Sequence, residues 1–235
     1  MIKKTIQKII GGGRLRGFLE FVFLFERHKD PWNGPFNGQE IRKKIYLDII
    51  RNCGIEKIIE TGCFRGATTD FFACSGLEVN TCEIQPRFYI FSKLRFFGKK
   101  NTKVCHSDSR SFLRCLSNKP SLVDKRCFFY LDAHWEGDLP LREEIQIILE
   151  NWANAVIMVD DFKVPGDDGY KYDNYGKDKV LDLNYLSVLK FNVTKFFPIN
   201  SRFETGRKRG SIVLTNNAEM SKAIVSSEYL NRFAS

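Results

Sequence analysis

Two short segments concentrate the residue types that catalysis most often needs. Tyr130-Leu131-Asp132-Ala133-His134-Trp135 and Val159-Asp160-Asp161-Phe162 each set carboxylates directly after an apolar run, and the first adds an imidazole. Hard carboxylate oxygens with open positions suit Mg²⁺ first, then Mn²⁺ or Ca²⁺. An imidazole beside them can take up a proton near neutral pH. If the two runs are neighbouring strands, Asp132, Asp160 and Asp161 are the expected metal ligands, with His134 and Asp132 as the catalytic pair. The plainer alternative is that Asp160-Asp161 caps a turn while His134 makes core hydrogen bonds. The pairing of both segments puts the chemical reading ahead.

A second constellation lies upstream, in Glu60-Thr61-Gly62-Cys63-Phe64-Arg65-Gly66-Ala67-Thr68-Thr69. Gly62 and Gly66 would let the backbone turn tightly and approach a ligand, and Thr68 or Thr69 could cap the helix that follows. The glycine spacing is not G-x-G-x-x-G, which weakens a dinucleotide reading. Glu60 would attract a cationic group rather than a pyrophosphate. Glu83 ends the next apolar run, where a carboxylate can accept hydrogen bonds from vicinal ribose hydroxyls. Ser107-Asp108 ends the third, placed to meet a nucleobase edge.

Taken in order, these strand-end residues resemble the motifs of class I S-adenosylmethionine-dependent methyltransferases, over roughly residues 57–161. Ile59-Glu-Thr-Gly-Cys-Phe-Arg-Gly66 is similar to the first motif of the macrocin-type sugar O-methyltransferases within that superfamily. The resemblance implies a cofactor site made by Glu60, Thr61, Gly62, Gly66, Thr68, Glu83, Ser107 and Asp108. Glu60 and Gly62 would hold the methionine end, Glu83 the ribose, and Asp108 with Ser107 the adenine. It also implies a divalent cation, a sugar or glycoside acceptor and methyl transfer to a hydroxyl. The family motif carries a second acidic residue where this chain has His134, so His134 is expected to serve as the base.

Elements that could hold such residues in place are legible as alternating strand-like and helix-like runs from Ile41 onward. Strands are expected over Lys57–Glu60, Leu77–Ile84, Thr102–His106, Arg126–Leu131, Ala155–Val159, Val193–Pro198 and Ser211–Thr215. Helices are expected over Ile41–Cys53, from Thr68, and over Pro86–Phe97, Leu139–Asn151 and Val180–Leu189. The fold class is α/β: a Rossmann-like, doubly wound, mostly parallel seven-stranded sheet with an antiparallel last strand. Right-handed crossovers would gather the carboxyl ends of the early strands on one edge. Residues 1–40 read as a basic, aromatic arm and helix, and 41–235 as the methyltransferase domain.

The chain has 235 residues, 37 basic against 28 acidic, and 43% hydrophobic content, which fits an ordinary globular domain. Residues 1–29 hold seven basic and two acidic side chains, so much of the excess sits there. Glu20 interrupts the apolar patch 17–25, and no small-residue cleavage site follows, so a secretory signal is not expected. The patch is too short to span a membrane. A helix packing its phenylalanines on the domain is preferred over peripheral membrane contact, which is kept as the second reading. No aromatic and basic alternation marks an RNA-binding motif, so nucleic acid is not an expected partner, and an RNA methyltransferase using the basic arm is the alternative function. A non-catalytic binding module on the same fold is the other.

The seven cysteines show no CxxC spacing, which points to reduced thiols and a cytoplasmic setting. Homo-oligomer formation is left open. The tyrosine-bearing loop 164–176 reads either as a lid over an acceptor or as a mobile surface loop. Arg207-Lys208-Arg209 is expected to be a solvated hairpin turn, with a phosphate contact as its rival.

Overall fold

The computed structural model describes residues 13–134, 137–189 and 191–233. The basic residues Lys3, Lys4 and Lys8 of the expected arm, and Trp135 of the first catalytic segment, lie outside the described residues.

Helix α1 (Arg14–His28) precedes two single 3-10 turns at Pro31–Asn33 and Pro35–Gly38. Helix α2 (Glu40–Asn52) presents Ile41, Ile45, Tyr46 and Ile49 at helical spacing to the core. From there strands and helices alternate: β1 (Lys57–Thr61), α3 (Ala67–Ala73), β2 (Glu78–Glu83), α4 (Pro86–Arg95) and β3 (Thr102–His106). They continue through α5 (Ser109–Ser117), α6 (Pro120–Val123), β4 (Cys127–Leu131), α7 (Leu141–Asn151), β5 (Ala155–Asp160) and α8 (Leu183–Leu186). The chain closes with β6 (Thr194–Pro198), β7 (Ser211–Thr215), α9 (Ala218–Val225) and β8 (Leu230–Arg232).

The sheet order is β3-β2-β1-β4-β5-β7-β6-β8. Strands β1 to β5 pair in parallel, whereas β7 runs antiparallel to both β5 and β6. The order reverses between β1 and β4, so a crevice opens at the carboxyl tips of these two strands. Strands β4 and β5 are buried along their whole length because helices cover both faces. Ile59, Phe129, Leu131, Ile157 and Val159 join one buried cluster, and Ile58, Val79, Phe128, Tyr130, Val156 and Met158 join the other.

The sheet has eight strands rather than seven, because Leu230–Arg232 adds antiparallel to β6. The expected helix over Val180–Leu189 shrinks to the four residues of α8, since Val180 is instead bridged to Asn174 and only Asp182 supplies a cap, to the Tyr185 N–H. Helix α5 was not anticipated, although Asp108 caps it and Phe112, Leu113 and Leu116 follow at helical spacing.

Candidate active site

Side chains alternate along a strand, so positions two apart share a face. Glu60, Glu83 and Asp160 have the parity of Ile58, Val79 and Met158, which all belong to one core cluster. Three carboxylates therefore project from strand ends towards the same side of the sheet. What each one meets there decides its role.

Glu60 is buried, and its Oε2 accepts hydrogen bonds from the Thr69 hydroxyl at 2.5 Å and the Thr81 hydroxyl at 2.7 Å. Burial raises its pKa to about 7 in spite of these two donors. Past it the chain turns through Gly62 and Gly66, both with positive φ. A Cβ on Gly62 would run into the backbone carbonyl of Asp132, and one on Gly66 would lie 2.6 Å from the Phe96 ring. This turn is thus closed to larger residues by strand β4 on one side and helix α4 on the other. Glu83 grips it from below: its Oε2 accepts the Phe64 N–H at 2.9 Å and its Oε1 the Gln85 N–H at 2.7 Å.

A cleft forms over the turn, lined by Glu60, Gly62, Phe64, Thr68, Tyr130 and Asp132 from the sheet side and by Pro31, Trp32, Phe36 and Asn37 from the amino-terminal turns. Trp32 stacks on Phe64 with centroids 5.2 Å apart, and the Thr68 hydroxyl accepts the Phe36 N–H at 3.2 Å. The 3-10 turns were not among the expected site elements. Their Pro-Trp-Asn-Gly-Pro-Phe-Asn-Gly composition signals turns but not a destination.

At the third strand tip, Asp108 accepts the Arg110 and Ser111 N–H groups at 3.0 and 3.2 Å and pairs with the Arg110 guanidinium at 2.8 Å. Its hydrogen bonds with Arg110 outweigh burial and hold its carboxyl below the usual range. Asp108 is thus a helix cap, whatever else it contacts. Neighbouring Ser107 donates to the Asp108 carbonyl at 2.9 Å. Thr61 contributes a buried hydroxyl that faces the buried Glu144 carboxylate of α7.

The tips of β4 and β5 do converge. His134 Nε2 lies 4.0 Å from an Asp132 oxygen and 3.9 Å from oxygens of Asp161 and Asp173. Its ring is buried, and among the described residues neither nitrogen has a hydrogen-bond partner. Burial lowers its pKa, so the imidazole is neutral and can accept a proton. Burial together with the nearby Asp161 and Glu60 charges pushes the Asp132 carboxyl well above the usual carboxylate range. Ligand atoms of Asp132, His134 and Asp161 all fall within 4.8 Å of one another, close enough to share one cation.

Asp160 does not join that group. Helix α2 packs on the face to which Asp160 points, and Arg42 of this helix pairs with its Oδ1 in full burial. Its Oδ2 accepts the Tyr130 hydroxyl at 2.5 Å, and its Oδ1 also takes the Asp161 N–H at 2.8 Å. Asp160 thus stands apart from the other expected ligands: its oxygens are engaged by Arg42, Tyr130 and the Asp161 N–H, while Asp132 and Asp161 lie together beside His134. Asp161, at φ 55°, sets its carboxylate beside His134 and Arg209 instead.

Arg209 completes the site. Its guanidinium bonds both Asp161 and Asp173, while its backbone N–H donates to Gln39 Oε1 at 2.7 Å and its carbonyl accepts from Gln39 Nε2 at 2.9 Å. Arg209 is thus tied into the site, while Arg207 of the same basic run stays exposed in a turn, as expected. Loop 164–176 is likewise stitched down, by Asp173 N–H to the Asp161 carbonyl at 2.9 Å and Gly210 N–H to the Lys171 carbonyl at 2.7 Å. Tyr170 is buried with its hydroxyl on the Ile199 carbonyl, so it supports the loop rather than presenting a stacking face. Tyr175 comes nearest, with its ring 6.4 Å from that of His134 and its hydroxyl on Asp173. Asp173 was missed because it sits amid polar loop residues with no strand to announce it. A larger apolar pocket lined by Leu149, Leu183, Leu186 and Phe191 lies elsewhere, with no carboxylate or imidazole in its lining.

No protein-family model and no curated protein sequence matches the chain. Solved structures do share its fold. The O-methyltransferase TomG from Streptomyces achromogenes, involved in tomaymycin synthesis and solved with SAM, gives a TM-score of 0.52 at 14% identity, over 75% of this chain and 80% of its own. An O-methyltransferase from Bacillus cereus solved with SAH gives 0.53 at 15% identity, over 91% of this chain and 99% of its own. The likeness is one of architecture: an α/β Rossmann-like sheet, mostly parallel, with its antiparallel strands last.

Proposed function

We infer that this chain is an S-adenosylmethionine-dependent O-methyltransferase that alkylates a hydroxyl of a sugar or glycosylated small molecule, assisted by a divalent cation. The observation that carries the reading is the adjacency of two sites at the β1 and β4 tips: the glycine cradle beside Glu60 and Glu83, and the unpartnered His134 facing Asp132 and Asp161. The proteins of like fold named above are O-methyltransferases bound to SAM or SAH, which favours the same cofactor here.

In this reading Gly62 and Gly66 let the backbone close around the methionine end. Glu60, poised near neutrality, would ionise beside a cationic ligand. Glu83 keeps the turn in register through its two backbone acceptor bonds and retains lone pairs for ribose hydroxyls. Asp108 and Ser107 border the adenine end. His134 accepts the acceptor's hydroxyl proton as that oxygen takes the methyl carbon and the sulfur keeps the bonding electron pair. Holding the reactants in line supplies much of the acceleration.

The donor set fits a divalent ion: the carboxylates of Asp132 and Asp161, with Asp173 behind them and the His134 imidazole kept free for the proton. Asp132 and Asp161 would hold it, and a bound cation would acidify a nearby hydroxyl. Mg²⁺ suits these carboxylates best, with Mn²⁺ as its competitor. Trp32, half exposed at the cleft mouth and stacked on Phe64, offers a flat apolar face to a sugar ring. All seven cysteines are free thiols, in keeping with a reducing cytoplasm.

The test is transfer of a labelled methyl group from S-adenosylmethionine to a panel of free, nucleotide-linked and glycoside sugars, with and without chelator. Transfer that falls on chelation and returns with Mg²⁺ or Mn²⁺ is expected. Transfer to catechols but not to any sugar would overturn the acceptor, and chelator-resistant transfer would overturn the cation.

A further inference from the structure

Among the described residues, helix α1 is fastened to the body by one side only. Glu20, almost fully buried, accepts from the Arg16, Arg65 and Arg87 guanidiniums, and Phe21 and Phe25 pack on Phe91 of α4. This clamp fixes which way the helix faces. Leu15, Phe18, Leu19, Val22 and Phe23 then fall at i, i+3, i+4, i+7 and i+8 on the opposite side. All five are exposed, Phe23 by 74%. On the helical wheel Arg14 borders this stripe on one edge and Arg16 on the other, and Arg27 is exposed after the kink at Leu24.

Apolar stripes of this kind can be covered by a second copy or by a lipid surface, and charge separates the two. No acidic residue precedes Glu20 in the sequence, and Glu20 is neutralised by its arginines. Glu26 is paired with Lys29 at 2.6 Å. Residues 1–29 carry seven basic against two acidic side chains. Two such faces brought together would oppose like charges, whereas an anionic bilayer complements them. None of the described helices is long and apolar enough to cross a membrane, so the contact would be one of lying in the interface.

We propose that α1 docks the protein on anionic lipid bilayers, with Leu15, Phe18, Leu19, Val22 and Phe23 entering the acyl boundary and the exposed Arg14 and Arg27 meeting the phosphates. The body then sits on the surface with its clamp intact. This surface is separate from the cleft at the strand tips, and its test does not depend on methyl transfer.

The experiment is co-sedimentation of the full chain with vesicles of phosphatidylcholine alone and of phosphatidylcholine mixed with phosphatidylglycerol. Binding to the mixed vesicles, weak binding to the neutral ones and release by added salt are expected. The double variant Phe18→Ser, Phe23→Ser should lower partitioning by about tenfold or more while its circular dichroism and melting temperature stay unchanged. Absence of binding to the mixed vesicles, or equal binding by the double variant, would overturn the proposal. So would light scattering that finds a dimer which the double variant disperses, since the face would then belong to a second copy.

Discussion

Arg209 bonds Asp161 across the β5–β7 junction, and the same guanidinium bonds Asp173 of the overlying loop. One cation thereby sets the spacing of two carboxylates that both face His134. Arg42 and Gln39 hold the Arg209 backbone in turn, so helix α2 reaches the chemistry through two layers of hydrogen bonds.

Replacing Arg209 by Gln should free the loop and leave Asp161 and Asp173 to repel each other. Arg209 is a positioning residue in this account, so kcat should fall by about a hundredfold with KM for S-adenosylmethionine nearly unchanged. Steady-state kinetics separates the two effects. Equal losses in both would mean that the cofactor cleft itself had moved.

The neighbouring aspartates should behave in opposite ways. Asp160 is locked to Arg42 and Tyr130 in the core, and Arg42→Met would leave its charge buried and unpaired, costing roughly 3–5 kcal/mol in urea unfolding. Asp161→Asn keeps a residue that tolerates positive φ. It should stay within about 1 kcal/mol of the parent stability yet lose cation affinity in a Mn²⁺ titration.

Gly62→Ala should fold and fail to bind. Its new methyl group would press on the Asp132 backbone, and the positive φ adds strain to any side chain there. Loss of binding to S-adenosylhomocysteine, with a melting temperature lowered by a few degrees, is the expected pair of results from calorimetry and thermal scanning.

Stability should respond to pH in two windows of opposite sign. Glu60 has a folded pKa of about 7 against an ordinary 4.5, so the folded state holds the extra proton between them and stability falls as pH rises through this range. Glu144, also raised to about 7 by burial, adds to the same slope. Glu20 and Glu78 go the other way. Arg87, Arg65 and Arg16 overcome burial to hold Glu20 at about 2, and Lys103 and Lys57 do the same for Glu78. Their stabilisation is present above pH 4.5 and disappears as pH falls towards 2. Urea midpoints across pH 2 to 8 should therefore peak near 5, and Glu60→Gln should flatten the upper limb.

The strand tips were readable because apolar runs ending in a carboxylate or glycine mark both a buried parallel strand and its exposed end. Glu60, Gly62, Glu83, Asp132 and Asp161 could be listed on that ground. The partner of Asp160 could not, since Arg42 lies 118 residues away and only the packing of α2 on that sheet face brings them together. Asp173 and Arg209 were hidden for a related reason: each sits in a polar stretch that looks solvated until the other is known. The turn at Trp32 and Phe36 was assigned to an arm because local composition gives no direction of travel. Asp108 shows the opposite case, since a capping residue and the helical spacing after it both stand in the sequence of α5.

The most direct measurement is calorimetric titration of S-adenosylhomocysteine into the full-length protein. One site per chain is predicted, with binding abolished in Gly62→Ala and retained in Asp161→Asn. A flat titration of the intact protein, or binding that survives Gly62→Ala, would contradict the assignment of the β1 turn as the cofactor cradle and with it the proposed reaction.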